Sequence, residues 1–297
     1  MAFNWQTFKT RTLTAAVFVV VMLGGILWSQ WSFLLLFTII HFGCWTEYQK
    51  LIGFIDHDYQ QITPFHKYGV RIAGWCLMLY FTSDACHIYN LRLHALGWWL
   101  GLLFVFVLPI MELLFTRHIQ PKNIGYSLLG IIYISLSWGL LVDLTNPYIS
   151  ASVPFFYKPN YIVEIPFVII LSIWINDTMA YIVGSLIGRS PLSRISPKKT
   201  WEGTLGGAIL CVAFIFGITY KIYGFVSDRV IHYSVIAAIA ATAGTLGDLL
   251  ESKLKRMAGV KDSGHIMPGH GGFLDRFDSL LVAVPFVWLY VVLVIIR

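Results

Sequence analysis

LGWWLGLLFVFVLPIMELLF, residues 96–115, is a run of twenty residues with a single charge, Glu112. A helix rises about 1.5 Å per residue, so such a run reaches about 30 Å, the thickness of a bilayer's hydrocarbon core. Apolar runs recur to either side of it, at 13–29, 31–49, 70–83, 124–142, 161–187, 203–220, 231–250 and 279–296. Backbone polar groups cannot stay unpaired in lipid, so these runs are expected to be helices. They lack the alternating pattern of an outer-membrane barrel. The expected fold is an all-α integral membrane protein, a polytopic bundle of about nine transmembrane helices.

Composition agrees. Only 12% of the 297 residues are charged, where a soluble domain carries about a quarter. Hydrophobic residues make up 57% and the mean hydropathy is +0.72. The run at 13–29 follows Lys9 and Arg11 but has no small-x-small cleavage site, and is read as a retained span. Cys44, Cys76, Cys86 and Cys211 form no CxxC pair, so a disulfide framework or structural zinc site is not expected. With nine spans and a cytoplasmic N-terminus, sixteen of the 21 Lys and Arg fall on the inner side, which predicts an N-in, C-out topology.

Residues 174–278 hold most of the unusual polar chemistry. The densest stretch is GDLLESKLKRMAGVKDSGHIMPGHGGFLDRFD, residues 247–278. It combines Asp248, Glu251, Asp262, Asp275 and Asp278 with Lys253, Lys255, Arg256, Lys261 and Arg276, and inner glycines loosen it. Carboxylates are hard ligands for Mg2+. Lys and Arg neutralise phosphate oxygens, and glycines let backbone N–H groups approach them. Asp275 and Asp278, three apart, share a face if a helix begins there. Ahead of this lie Ser196-Pro197-Lys198-Lys199-Thr200-Trp201-Glu202-Gly203 and, inside a long apolar run, Asn176-Asp177. Two lysines before a capped helix start make a phosphate dock or a positive-inside anchor. An ionisable side chain at membrane depth costs about 2.5–3.5 kcal/mol, which makes Asp177 a functional candidate. Glu112, His41 and Glu47 read as interhelical or interfacial contacts. Gly184 and Gly188 read as close helix packing. Residue chemistry alone reaches metal-assisted phosphoryl-group chemistry at one membrane face.

The motif resembles the signature of the phosphatidate cytidylyltransferase (CDP-diacylglycerol synthase) family. Ser252, Leu254, Lys255, Arg256, Lys261, Asp262, Gly264, Pro268, His270, Gly271, Gly272, Asp275, Arg276, Phe277 and Asp278 keep its register, with Met267 a mild departure. The resemblance implies CTP as donor, phosphatidic acid as acceptor, pyrophosphate as product, and Mg2+ dependence with a further monovalent cation such as K+. It implies a homodimer in the bilayer, in the inner or plasma membrane of a bacterium; no nucleic-acid partner is expected. Residues 124–297 are expected to carry catalysis and 1–123 to form a scaffold or dimerisation part. Asp248, Asp275, Asp278, Lys261 and Arg276 are the expected catalytic residues. Lys198, Lys199, Thr200, Glu202, Lys255, Arg256, Asp262, His270, Asn176 and Asp177 are expected to bind substrate. Asp248, Asp275, Asp278 and Asp177 are the expected metal ligands. A transporter is the rival from another class; a CTP-dependent lipid kinase or a CDP-archaeol synthase is the nearest rival enzyme. The DGxxAR…GxxxDxxxD pattern of a CDP-alcohol phosphotransferase is missing.

Overall fold

The computed structural model describes residues 5–115, 120–146, 163–224, 227–264 and 271–296. Among them are nine helical segments: α1 Trp5–Leu27, α2 Gln30–Ile55, α3 Pro64–Tyr80, α4 Leu93–Phe115, α5 Pro121–Asp143, α6 Glu164–Ile187, α7 Trp201–Tyr223, α8 Asp228–Met257 and α9 Leu274–Ile295. Six of these, α4 to α9, are long and apolar enough to cross a membrane. The chain is an all-α polytopic membrane protein. A 3-10 turn, His57–Gln61, and a two-stranded hairpin pairing His87–Ile88 with Leu91–Arg92 are small additions.

The helices follow the apolar runs but outreach them where polar ends continue the hydrogen-bond ladder. α8 extends from the apolar run at 231–250 to Met257, so Glu251, Lys255 and Arg256 stand on a helix rather than in a loop. Its basic last turn, Lys255 and Arg256, complements the helix dipole. α3 begins at Pro64, with the Thr63 hydroxyl accepting from the His66 N–H. α2 begins at a Ser29–Ser32 capping box.

Two compact units divide the chain: residues 1–142 with 254–277, and residues 143–253 with 278–297. In the first, Phe37, Trp45 and Trp138 are fully buried, and the Trp45 indole N–H donates to Ser135 Oγ at 2.9 Å. Ser135 lies in a π-helical stretch of α5, Ile131–Leu136. Here α4 turns Leu103, Val105, Phe106, Ile110, Leu113 and Leu114 outward, an arrangement suited to lipid rather than water. In the second unit, Ile169, Cys211, Ile215, Ile236, Ala237 and Ala240 form the core. There α6 and α7 cross closely: a Cβ on Gly203 would lie 2.9 Å from the Gly184 Cα and 2.8 Å from the Ala180 carbonyl oxygen. Small residues at a helix crossing let the backbones approach this way.

Candidate active site

In the second unit, Asn176, Asp177, Lys198, Lys199, Thr200 and Asp248 line one cavity of about 560 Å3, with Tyr181, Ser196 and Thr245. Three sequence-predicted segments, far apart in the chain, meet here. α6 supplies Asn176, buried, and Asp177, exposed. The segment before α7 supplies the lysines. It is folded back on itself by a bridge between Pro191 and Thr200 and by hydrogen bonds from the Leu192 N–H to the Lys199 carbonyl (2.7 Å) and the Trp201 N–H to the Ser190 carbonyl (2.9 Å). Glu202 braces this turn, accepting from the backbone N–H groups of Arg189 (3.1 Å) and Ser190 (3.1 and 3.2 Å). The Thr200 hydroxyl caps α7 through the Gly203 N–H at 3.1 Å. Glu202 therefore shapes the lysine loop through its backbone.

Asp248 joins Glu251 and Asp278 in a carboxylate group, one oxygen of each lying within 4.8 Å of the others. Asp248 and Glu251 are three apart on α8 and share a face. Asp278 reaches them because Gly247 carries no side chain: a Cβ there would lie 2.4 Å from the Asp278 carbonyl oxygen and 3.0 Å from the Ser279 Cα. Lys199 Nζ forms an ion pair with Asp248 Oδ2. Glu251 and Asp278 are buried. Carboxylates this close and this buried repel unless cations offset them. Lys199 offsets part of the charge, and a hard, all-oxygen donor set of this kind fits Mg2+. Glu251 was absent from the ligand set expected from sequence; its spacing from Asp248 was the signal available.

Asp275 has other partners in the first unit. Lys255 Nζ donates to its Oδ1 at 2.6 Å, and the N–H groups of Ser263 and Gly272 donate to Oδ2 at 2.9 and 2.8 Å. Gly271, with φ at +80°, makes the turn that brings this about. Lys261, Asp262, Arg256 and Arg276 are exposed. His270, with Met267 and Pro268, lies outside the described residues.

Glu47 on α2 is a further residue at this loop, read from sequence only as an interfacial contact. It is 4% exposed. Its Oε1 accepts from the Phe273 N–H at 2.9 Å, and its Oε2 from the Leu274 N–H at 2.8 Å and the Ser263 hydroxyl at 2.7 Å. That hydroxyl also lies 2.9 Å from Asp275 Oδ2, so its one proton serves one carboxylate at a time. A carboxylate at the start of α9 satisfies N–H groups that the helix itself cannot. Cβ atoms on Gly264 and Gly272 would each lie 2.2 Å from its oxygens, so the backbone at these two glycines packs tightly against it.

The model of the cytidylyltransferase family matches residues 9–294. A phosphatidate cytidylyltransferase of Haemophilus influenzae is 31% identical over 296 residues, covering 94% of this chain and 96% of the relative. That of Pseudomonas aeruginosa is 33% identical over 286 residues, covering 93% and 94%. That of Bacillus subtilis is 35% identical over 183 residues, covering 59% and 63%.

Proposed function

The chain belongs to the cytidylyltransferase family, and from that premise we propose that it transfers the cytidylyl group of CTP to phosphatidic acid, forming CDP-diacylglycerol and pyrophosphate. The observation that carries the reading is the single cavity that gathers Lys198, Lys199, Asn176, Asp177 and Asp248, with Glu251 and Asp278 beside Asp248. A phosphate oxygen of phosphatidic acid forms a bond to the α-phosphorus of CTP. The bond from that phosphorus to the oxygen bridging to the β-phosphorus breaks, and the electron pair leaves with pyrophosphate. No covalent intermediate on the enzyme is needed, so catalysis is positioning and charge neutralisation.

Lys198 and Lys199 neutralise phosphate oxygens of the triphosphate, and Thr200 and Glu202 hold their loop in shape. Lys255, Arg256, Lys261 and Arg276, with Asp262, keep the substrate-binding and catalytic roles that the family resemblance implies for them. Asp275 orients Lys255 through the 2.6 Å contact, alongside the ligand role that the family resemblance implies for it. Asp248, Glu251 and Asp278 would hold Mg2+, which when bound neutralises phosphate charge and draws electron density from the reacting phosphorus. Asp177 would serve a second cation, and Asn176 would hydrogen-bond substrate in the cavity. The reading places this site at the cytoplasmic face, in an N-in, C-out chain that works as a homodimer. In that dimer residues 1–123 act as scaffold and 124–297 carry the chemistry.

The test is incubation of purified protein with labelled CTP and phosphatidic acid, with and without Mg2+. Label entering a lipid whose mass matches CDP-diacylglycerol, with equimolar pyrophosphate, supports the reading. Release of CDP with a phosphorylated lipid would replace it with the lipid-kinase alternative.

A further inference from the structure

A second polar cavity, of about 420 Å3, lies in the first unit between the end of α2, the 3-10 turn and the start of α3. Lys50, Lys67 and Arg71 line it. None of the three forms an ion pair with a carboxylate among the described residues, whereas nearby Lys122 pairs with both Asp56 and Asp58. Arg71 is held ready. Its Nε donates to Gln49 Oε1 at 2.7 Å and its Nη1 to Thr46 Oγ1 at 3.0 Å, which leaves Nη2 for a ligand. Gln49 is itself buried and fixed, its amide donating to the Lys67 carbonyl at 3.0 Å. The Arg71 guanidinium sits 5.5 Å from the Tyr68 ring centroid and Lys67 Nζ 6.0 Å from it. A half-buried guanidinium with a spare edge, flanked by two ammonium groups, is a recognition element for phosphate oxygens.

The surroundings say which phosphate. Phe65, Tyr68 and Ile72, spaced i, i+3 and i+7 on α3, are 53%, 55% and 37% exposed. They make an apolar stripe that runs along α3 beside the charged rim. A soluble phosphate would use the rim and leave the stripe bare. A lipid uses both, with its phosphate at Arg71 and an acyl chain along the stripe.

We propose that this cavity binds the phosphate of an anionic phospholipid, at a site separate from the cavity lined by Lys198 and Lys199. Lipid binding at this cavity does not depend on which reaction the protein catalyses.

Native mass spectrometry of the detergent-purified full chain tests it, with phosphatidylglycerol or phosphatidylcholine added as probe. The first phosphatidylglycerol should bind about tenfold more tightly to the native protein than to the Lys67→Gln/Arg71→Gln variant, as expected for lost charge-assisted contacts. Lys122→Gln should bind like the native protein. Phosphatidylcholine should not distinguish the variants, and millimolar inorganic phosphate should not displace the lipid. Equal phosphatidylglycerol affinity in native and double-variant proteins would overturn the proposal. Displacement by inorganic phosphate would also overturn it, in favour of a soluble ligand. Should the double variant lose its folded, monodisperse state, Lys50→Gln carries the same test, since that side chain is exposed. Unchanged lipid affinity there would count against the site, and weakened affinity for it.

Discussion

Replacing Glu47 should disable the enzyme from a position outside both the lysine cavity and the carboxylate group. Its carboxylate accepts from the N–H groups of Phe273 and Leu274 and shares the Ser263 hydroxyl with Asp275. A hydrogen bond to a charged group contributes about 1.5–3 kcal/mol, and a buried donor left without a partner costs about as much as the bond it lost. Glu47→Ala removes the acceptor for two backbone N–H groups at once. Counting those two alone, the hold of α2 on the start of α9 is weakened by about 3–6 kcal/mol. At about 1.4 kcal/mol per decade, the lower figure alone is about a hundredfold fall in the equilibrium constant for that arrangement. Glu47→Gln keeps one oxygen, but its amide N–H would face the N–H of Leu274 or of Phe273, so about tenfold to a hundredfold loss of kcat/KM is expected. Glu47→Asp, one methylene shorter, should recover part of the native rate by keeping the charge. The assay is CTP incorporation by protein that passes size-exclusion chromatography as a single species. A monodisperse Glu47→Gln protein with native kcat and native KM for CTP would refute the reasoning.

Further outcomes follow from the same geometry. Lys199→Ala should raise the CTP requirement about tenfold or more, through loss of a charge-assisted phosphate contact, and Lys198→Ala should act in the same direction; steady-state kinetics on folded variants measure both. Gly247→Ala should push α9 away from α8 at Asp278, at an overpacking cost of about 1–3 kcal/mol. It should lower activity far more than melting temperature; native turnover would mean the two backbones can separate without harm to the carboxylate group. A reporter fused to the C-terminus should score on the outer side of the membrane; a cytoplasmic score would contradict the N-in, C-out assignment.

The spans were legible because burial in lipid imposes a length and a hydropathy that survive in a single sequence. The run at 96–115 lies inside Leu93–Phe115, and that at 124–142 inside Pro121–Asp143. Helix ends were not legible from hydropathy, since α8 continues through Asp248, Glu251 and Lys255, where apolar content falls away. The meeting of Asn176-Asp177, Lys198-Lys199 and Asp248 in one cavity matches the three segments singled out by their chemistry, although sequence carries no distances between them. Glu47 was out of reach for a different reason. It lies 227 residues before Leu274, whose N–H it accepts, and nothing local separates it from an interfacial carboxylate. Asp275 and Asp278 share a spacing that suggests a common task, and spacing alone does not show that Asp275 also accepts from Lys255, Ser263 and Gly272.

Asp248, Glu251 and Asp278 together are the residues expected to hold the divalent ion. The direct measurement is the rate of CDP-diacylglycerol formation against Mg2+ concentration for Asp248→Asn, Glu251→Gln and Asp278→Asn, each confirmed as a folded membrane protein. Each substitution preserves size and removes one charge from the group. The expected result is a curve displaced to higher Mg2+ with a lowered maximum, part of it restored by Mn2+. Curves superimposable on that of the native protein would contradict the claim and place the divalent ion elsewhere.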